Sequence, residues 1–442
     1  MNFTNIVIIN YTGNRQNWGC QATSQGLEDM LKRIFSNKCN LEYIPLLNQD
    51  KIDIKLEAQY ADRLTEIMKK EELPQKDRDE VTKIVLKRYS KKYIDLVKNA
   101  DFIFFQAEGT MTGHSFYGGL RLLLLPFYSK VVLKKKVFSL NQTIYSATEK
   151  FETVIKHVFS KFDIIALREV ASFEYAKQLG LKRIVMIPDA AFLSKKKDVP
   201  FLKANEQYFA VTGTAKMRKL SKKDYVSLIR EIQCKFNIKP LITVSTNADK
   251  EILKEIEENW PKDSYAVLDP NSSHEEVVGA FSRCRFLIGG RYHMCILSAV
   301  ARTPFVCLIA NTFKNEGLMK LLELNYDVLS FEDKEAILSN VREVIENEET
   351  LREHLDHQVK RVCEMINKGE NLIKELVIDE KNLENEDIVN KYPLISPKNN
   401  YDFKIDKTRM DLYSKLNSPT KNSIVRLINK LRRAVSGYRR GV

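Results

Sequence analysis

A chain of 442 residues leaves room for two or three domains, and a hydrophobic content of 44% is enough for ordinary buried cores. No run of 18 apolar residues occurs, so no spanning helix is expected, and the opening MNFTNIVIIN lacks the basic flank and cleavage site of a signal peptide. The net charge is +13, but eight Lys/Arg and no acid fall from Leu412 onward, which leaves +5 for the remainder and argues against a nucleic-acid-binding body.

Asn5 to Asn10 (NIVIIN) reads as a first strand. The loop YTGNRQNWG follows, and Ala22, Gln25, Leu27, Met30, Leu31, Ile34 and Phe35 then make one helical face. In doubly wound folds this first loop brings backbone close to a ligand, which marks Gly13 and Asn14 as candidate substrate contacts. The spacing is not GxGxxG, and no GxxxxGK stretch is present. Leu41 to Leu46 reads as a second strand. Residues 49–98 are charge-rich, with Pro74 in the middle, and read as a helical insertion on the outside; Asp77-Arg78-Asp79 is there a solvated face rather than a metal pair. Asp101 to Gln106 (DFIFFQ) is a strand ending on Glu108-Gly109-Thr110. Tyr117 to Leu133 reads as a helix broken or kinked at Pro126. Strands at Lys136 to Thr143, Asp163 to Leu167 and Arg183 to Ile187 carry Asn141, Arg168 and Asp189 at their ends, with a helix from Ser172 to Leu179 closed by Gly180. Gly13, Glu108, Asn141, Arg168 and Asp189 therefore share one sheet edge.

Ser194 to Pro200 (SKKKDVP) reads as a linker, after which strands and helices alternate again: Tyr208 to Thr212, Lys222 to Phe236, Pro240 to Val244, Asp249 to Glu258, Tyr265 to Leu268 and Glu275 to Ser282. Arg285 to Leu308 (RFLIGGRYHMCILSAVARTPFVCL) is strand, Gly289-Gly290 turn, helix, strand. Arg291 and His293 sit at the strand's carboxyl end, beside a helix N-terminus suited to an anion. Phe313 to Leu322 and Lys334 to Ile366 read as helices. The pattern gives an α/β protein of two Rossmann-like domains facing a cleft: 1–195, carrying the insertion, and 201–367. A polar connector, 368–422, leads to a basic tail, 423–442. In that tail Ile424, Leu427, Ile428, Leu431, Ala434 and Val435 form one helical face and Arg426, Lys430, Arg432 and Arg433 the rest, as in helices that lie on anionic membranes. The seven cysteines are odd in number, scattered and without a CxxC pair, as expected of reduced thiols in a cytoplasmic protein. No metal-ligand cluster is expected; His354 and His357 fall in a charged helix.

Four stretches, in order, resemble the polysaccharide pyruvyl transferase family: TGNRQNWGCQATSQGL, FFQAEGTM, ALREVAS with IPDAAF, and IGGRYHMCILSAVARTPFV. The resemblance runs from about Asn5 to about Asn315. It implies a GT-B-like fold and transfer of the enolpyruvyl group of phosphoenolpyruvate onto two hydroxyls of a sugar, with release of phosphate. The acceptor would be a saccharide of a cell-surface polysaccharide or its lipid-linked precursor, and no cofactor beyond the donor is implied. The family's RxH motif falls on Arg291 and His293. Its further arginine and lysine fall on Arg168 and Lys314, and Glu108 stands where members often carry glycine. His293, Arg291 and Arg168 are thus the expected catalytic groups. Gly13, Asn14, Glu108, Asn141, Asp189, Gly289, Gly290 and Lys314 are the expected substrate contacts. Two arginine forks suit a donor with both phosphate and carboxylate, and a histidine suits the proton transfers. Glycosyl transfer from a nucleotide sugar on the same fold is the alternative.

Overall fold

The computed structural model describes residues 3–46, 54–111, 116–146, 148–199, 202–214, 222–379, 381 and 383–393. All of these lie in the unit Met1–Phe403; the second unit, Lys404–Val442, holds the amphipathic tail, which lies outside the described residues.

The first half runs β1 (Thr4–Tyr11), α1 (Trp18–Ile34), β2 (Cys39–Pro45), α2 (Ile54–Met68), α3 (Gln75–Arg88), α4 (Lys91–Asn99), β3 (Phe102–Phe105), α5 (Phe116–Val131), β4 (Lys136–Gln142), α6 (Glu149–Phe159), β5 (Ile164–Leu167), α7 (Val170–Gln178) and β6 (Ile184–Met186). A 3-10 turn, Ala190–Leu193, closes it. The second half runs β7 (Tyr208–Thr214), α8 (Lys222–Phe236), β8 (Lys239–Ile242), α9 (Asn247–Asn259), β9 (Ala266–Val267), α10 (His274–Phe281), β10 (Cys284–Gly290), α11 (Tyr292–Val300), β11 (Phe305–Cys307), α12 (Lys314–Leu321), α13 (Lys334–Glu346), α14 (Glu348–Val377) and α15 (Asn385–Lys391).

The strands form two sheets, of order β2-β1-β3-β4-β5-β6 and β11-β10-β7-β8-β9, and every pairing is parallel. Helices cover both faces of such sheets, which is why the central strands read as unbroken apolar runs: Ile6 to Ile9, Ile103 to Phe105 and Ile164 to Leu167 are all buried. In the first sheet the strand order reverses between β1 and β3, in the second between β7 and β10. Crevices open at the carboxyl ends of strands at such reversals. Residues after β1, β3 and β10 are among those that meet in the cleft.

Differences from the sequence reading have local causes. The helix holding Pro126 runs unbroken from Phe116 to Val131. Proline removes a single helical hydrogen bond, and ten of the helix's other residues, Leu122 to Leu125 among them, are buried to offset it. Gly289 and Gly290 are the last residues of β10 rather than a turn, pressed against β7: a Cβ on Gly289 would lie 2.2 Å from Thr212 Cγ2, and one on Gly290 2.7 Å from Thr214 Cβ. The long helix read over Lys334 to Ile366 is two, divided at Asn347. The second of them, 30 residues long, extends to Val377, so its last three turns fall in the stretch read as connector. Those turns are amphipathic: Leu372, Ile373 and Val377 are buried against the first half. There Gly369 abuts Ile187 and Lys136 Nζ donates to the Leu376 carbonyl at 3.0 Å, and just before them the Cys363 thiol approaches the Phe192 carbonyl at 3.7 Å.

Candidate active site

The strand ends converge on a cavity of about 180 Å³ lined from both halves, by Asn17, Cys20, Glu108, Gly109, Thr110 and Arg168 on one side and Ser245, Gly290, Arg291, Tyr292, His293, Met294 and Lys314 on the other.

Arg168 follows β5 and is only 1% exposed. A buried guanidinium needs a carboxylate and further acceptors. Its Nη1 donates to Asp189 Oδ2 at 2.7 Å, its Nε to Thr143 Oγ1 at 2.9 Å, and its plane lies over the Tyr292 ring at 4.4 Å. Asp189, fully buried, caps the 3-10 turn by accepting from the Ala191 amide at 2.9 Å. Burial alone would raise its pKa, but His293 and Arg168 outweigh that and hold it well below the usual carboxylate range.

His293 comes from the other half, in the first turn of α11, and its Nε2 lies 3.2 Å from Asp189 Oδ2 and 3.3 Å from Arg168 Nη1. The guanidinium is always protonated, so Nε2 either accepts from it or, carrying a proton, donates to Asp189. The other ring nitrogen, Nδ1, faces α1: a Cβ on Gly19 would come within 2.6 Å of it. Only glycine lets α1 approach α11 this closely.

Arg291 precedes α11. Its Nη2 donates to Asp249 Oδ1 at 3.0 Å and to the Thr246 hydroxyl. Its Nε is buried without a hydrogen-bond partner among the described residues, as is the Tyr292 hydroxyl.

Lys314 opens α12, and no ion-pair partner for its ammonium is found among the described residues. It is partly exposed to the cleft, yet burial, then Arg168 and Arg291, push its pKa down to about 7. The helix is seated by Gly317 against Glu169 of the first half, where a Cβ would meet Oε2 at 1.9 Å. Glu169 is fully buried, its pKa pushed up to about 7 by desolvation, and accepts from the Ser172 amide at 3.0 Å. Between the two cations lies bare backbone: a Cβ on Gly109 would sit 3.2 Å from Arg168 Nη2 and 3.3 Å from Lys314 Nζ.

Glu108, 5% exposed, accepts from the Thr12 hydroxyl and lies 3.7 Å from the Cys20 thiol. Its φ of 49° is left-handed, where glycine is at ease and other residues are strained. That explains why glycine suits this position and why a glutamate there must be held by its neighbours.

Of the expected site residues, Glu108, Arg168, Gly290, Arg291, His293 and Lys314 line the cavity, and Asp189 stands directly behind Arg168 and His293. Gly13, Asn14, Asn141 and Gly289 are not in its wall. Gly13 packs on the Tyr11 ring. Asn141 ties α1 to the 3-10 turn, accepting from the Ala190 amide at 2.9 Å and donating to the Thr23 carbonyl at 3.4 Å. Sequence reasoning missed Gly19, Gly109 and Asp249. The first two stood inside quoted motifs but carry no side chain to draw notice, and Asp249 looked like any helix-start acid.

Two parallel sheets whose reversal points share one cleft are the arrangement of GT-B glycosyltransferases and sugar-nucleotide epimerases. The fold is similar to that of a UDP-N-acetylglucosamine 2-epimerase, described as putative, from Listeria monocytogenes (TM-score 0.51, 10% identity, 86% of this chain and 98% of that one). It is similarly close to the S. aureus MnaA–UDP complex (TM-score 0.51, 11% identity, 86% and 100%). At these identities the likeness is one of fold alone. No curated protein matches the chain. The polysaccharide pyruvyl transferase profile matches residues 17–311, more than half of the chain. The chain belongs to that family, a family of transferases.

Proposed function

We propose that this transferase moves the enolpyruvyl group of phosphoenolpyruvate onto a saccharide of a cell-surface polysaccharide or its lipid-linked precursor, leaving a pyruvate ketal. The observation that carries this reading is the pair of cations, Arg168 and Lys314, facing each other across the bare backbone of Gly109, with Arg291 on the same wall. Three cations around a small cavity suit a compact donor with a phosphate and a carboxylate. The cavity, at about 180 Å³, is below the roughly 300–1,000 Å³ of sites for drug-sized ligands, which favours phosphoenolpyruvate over a nucleotide sugar.

The chemistry then has two steps. A sugar hydroxyl oxygen bonds to C2 of the donor while C3 takes up a proton, giving a tetrahedral adduct that still carries the phosphate. A second hydroxyl oxygen bonds to C2, the C2–O bond to phosphate breaks, and phosphate leaves with the electron pair. His293 is the proton carrier, its ring held in place by the contact of Nε2 with Asp189 Oδ2 at 3.2 Å. Arg168, Arg291 and Lys314 hold the donor's anionic groups, and Glu108 orients the acceptor hydroxyl. No metal or further cofactor enters this scheme. By its sequence, the 423–442 tail holds the enzyme on the inner, anionic face of the plasma membrane.

Titration calorimetry with phosphoenolpyruvate and with UDP-N-acetylglucosamine is the test. Phosphoenolpyruvate should bind, and Arg168→Lys and Arg291→Lys should each weaken it, because a planar fork is lost. His293→Ala should keep donor binding while turnover drops roughly 10²–10⁴-fold. Binding of the nucleotide sugar without binding of phosphoenolpyruvate would replace this reading with glycosyl transfer.

A further inference from the structure

We propose that the Tyr292 hydroxyl is a further binding group for the donor, donating to one oxygen of its carboxylate while Arg291 Nε donates to the other. The proposal rests on phosphoenolpyruvate being the donor, and it adds a residue and an orientation to that reading.

Of the buried side-chain nitrogen and oxygen atoms in the cavity wall, two have no hydrogen-bond partner among the described residues: Arg291 Nε and the Tyr292 hydroxyl. Tyr292 is only 3% exposed. A buried donor left unpaired is costly, and nearly all such groups in folded proteins have a partner. Other polar groups of the same wall are engaged. Ser245 donates to Asp249 Oδ2 at 3.0 Å, and Glu108 accepts from Thr12. The two exceptions are consecutive residues at the start of α11. Two unpaired donors side by side match a group with two acceptor oxygens, as a carboxylate has.

Charge decides which of the donor's anionic groups comes here. The phosphate carries the larger charge and suits the gap at Gly109, where Arg168 Nη2 and Lys314 Nζ bring two cations together. At the start of α11 the positive charge is smaller. Arg291 is paired with Asp249 at 3.0 Å, and the phenol is neutral, because burial holds its pKa well above the usual phenol value. A singly charged carboxylate is the match, and the N-terminal end of a helix favours it further.

The ring of Tyr292 has a separate use. The Arg168 guanidinium lies over it at 4.4 Å and the His293 ring stands edge-on to it at 5.4 Å. Tyr292→Phe keeps that platform and removes the hydroxyl alone.

The test compares the full native chain with Tyr292→Phe in three measurements: calorimetry with phosphoenolpyruvate, thermal shift with inorganic phosphate, and melting without ligand. The variant should bind phosphoenolpyruvate roughly 10- to 100-fold more weakly, the scale of a lost hydrogen bond to a charged group. The shift given by inorganic phosphate should match that of the native chain, since the gap at Gly109 keeps both cations. Without ligand the variant should melt no lower than the native chain, because it loses an unpaired polar atom. A purely structural hydroxyl gives the opposite pair, lower melting with unchanged affinity. Lower melting of the unliganded variant overturns the proposal by revealing a partner in the free protein. Loss of the phosphate shift overturns it by assigning the hydroxyl to the phosphate. If the native chain binds phosphoenolpyruvate and the variant binds it equally well, this proposal alone fails. A native chain that binds none ends the functional reading and this proposal together.

Discussion

Lys314 holds a charge where the fold least favours one. Its pKa falls from 10.5 to about 7, first through burial and then through Arg168 and Arg291. The sign of the consequence follows from proton counts. Between about pH 7 and 10.5 the unfolded chain keeps a proton that the folded chain has lost, so stability rises with pH across that window. The penalty is complete below pH 7 and gone above 10.5. Lys314→Met should therefore stabilise the protein at pH 6 by about 1–2 kcal/mol, a discounted figure because the ammonium still sees cleft water, and by nothing at pH 10.5. Donor affinity should move the opposite way, lost in the variant and falling in the native protein as pH rises through 7. Thermal melts at the two pH values, with calorimetry beside them, check this. A methionine variant less stable at pH 6 would mean that Lys314 is a structural cation. Glu108 makes the same point in its backbone, since a left-handed φ of 49° at a glutamate persists only because Thr12 and Gln106 surround its carboxylate.

Among elements, α1 and α11 show what the sequence could and could not tell. Both helices were legible from their apolar spacing, and the strand ends before them from buried runs such as NIVIIN and RFLIGG. Arg168, Arg291 and His293 were legible as charged groups at strand ends on one edge, while the roles expected of them came from the family resemblance. What periodicity does not encode is the distance between two helices from different halves. That distance is set by Gly19, where a Cβ would meet His293 Cβ at 2.3 Å. Asn141 was misleading for a related reason: it stands at a strand end on the right edge, but its amide is used to bind α1 to the 3-10 turn. Gly19→Ala should gain a little helix propensity yet lower turnover roughly 10²-fold, the scale of a displacement of about 1 Å at a reacting group. Steady-state kinetics and a melt of the same variant separate the two effects. Turnover equal to that of the native protein would show that α1 does not set the histidine's position.

At the scale of the molecule, the cavity belongs to neither half. Arg168 and Asp189 come from one sheet, and His293, Arg291 and Lys314 from the other. The two sheets were legible as two runs of alternating strands and helices, while the long return of α14 was hidden by its charged composition. Among the described residues no helix is long and apolar enough to cross a membrane. Removal of the chain beyond Thr420 deletes seven basic residues and should weaken binding to phosphatidylglycerol vesicles at low salt, the loss shrinking as ionic strength rises. Co-sedimentation of the two chain lengths measures it, and equal sedimentation would remove the tail from membrane binding.

The return of α14 has a consequence for how the protein is made. A helix of 30 residues spans about 45 Å, and its second half meets Ile187 and Phe192, which follow the last strand of the sheet translated first. On the ribosome the first sheet is complete long before that cover exists. For the whole time that the second sheet is being synthesised, an apolar flank around Ile187 stays open to water and to neighbouring nascent chains. The first half is therefore the part whose apolar flank waits longest for its cover. Arg33, which pairs with Glu370 on the arriving helix, is the charged contact that closes the flank only when nearly all of the described chain has emerged.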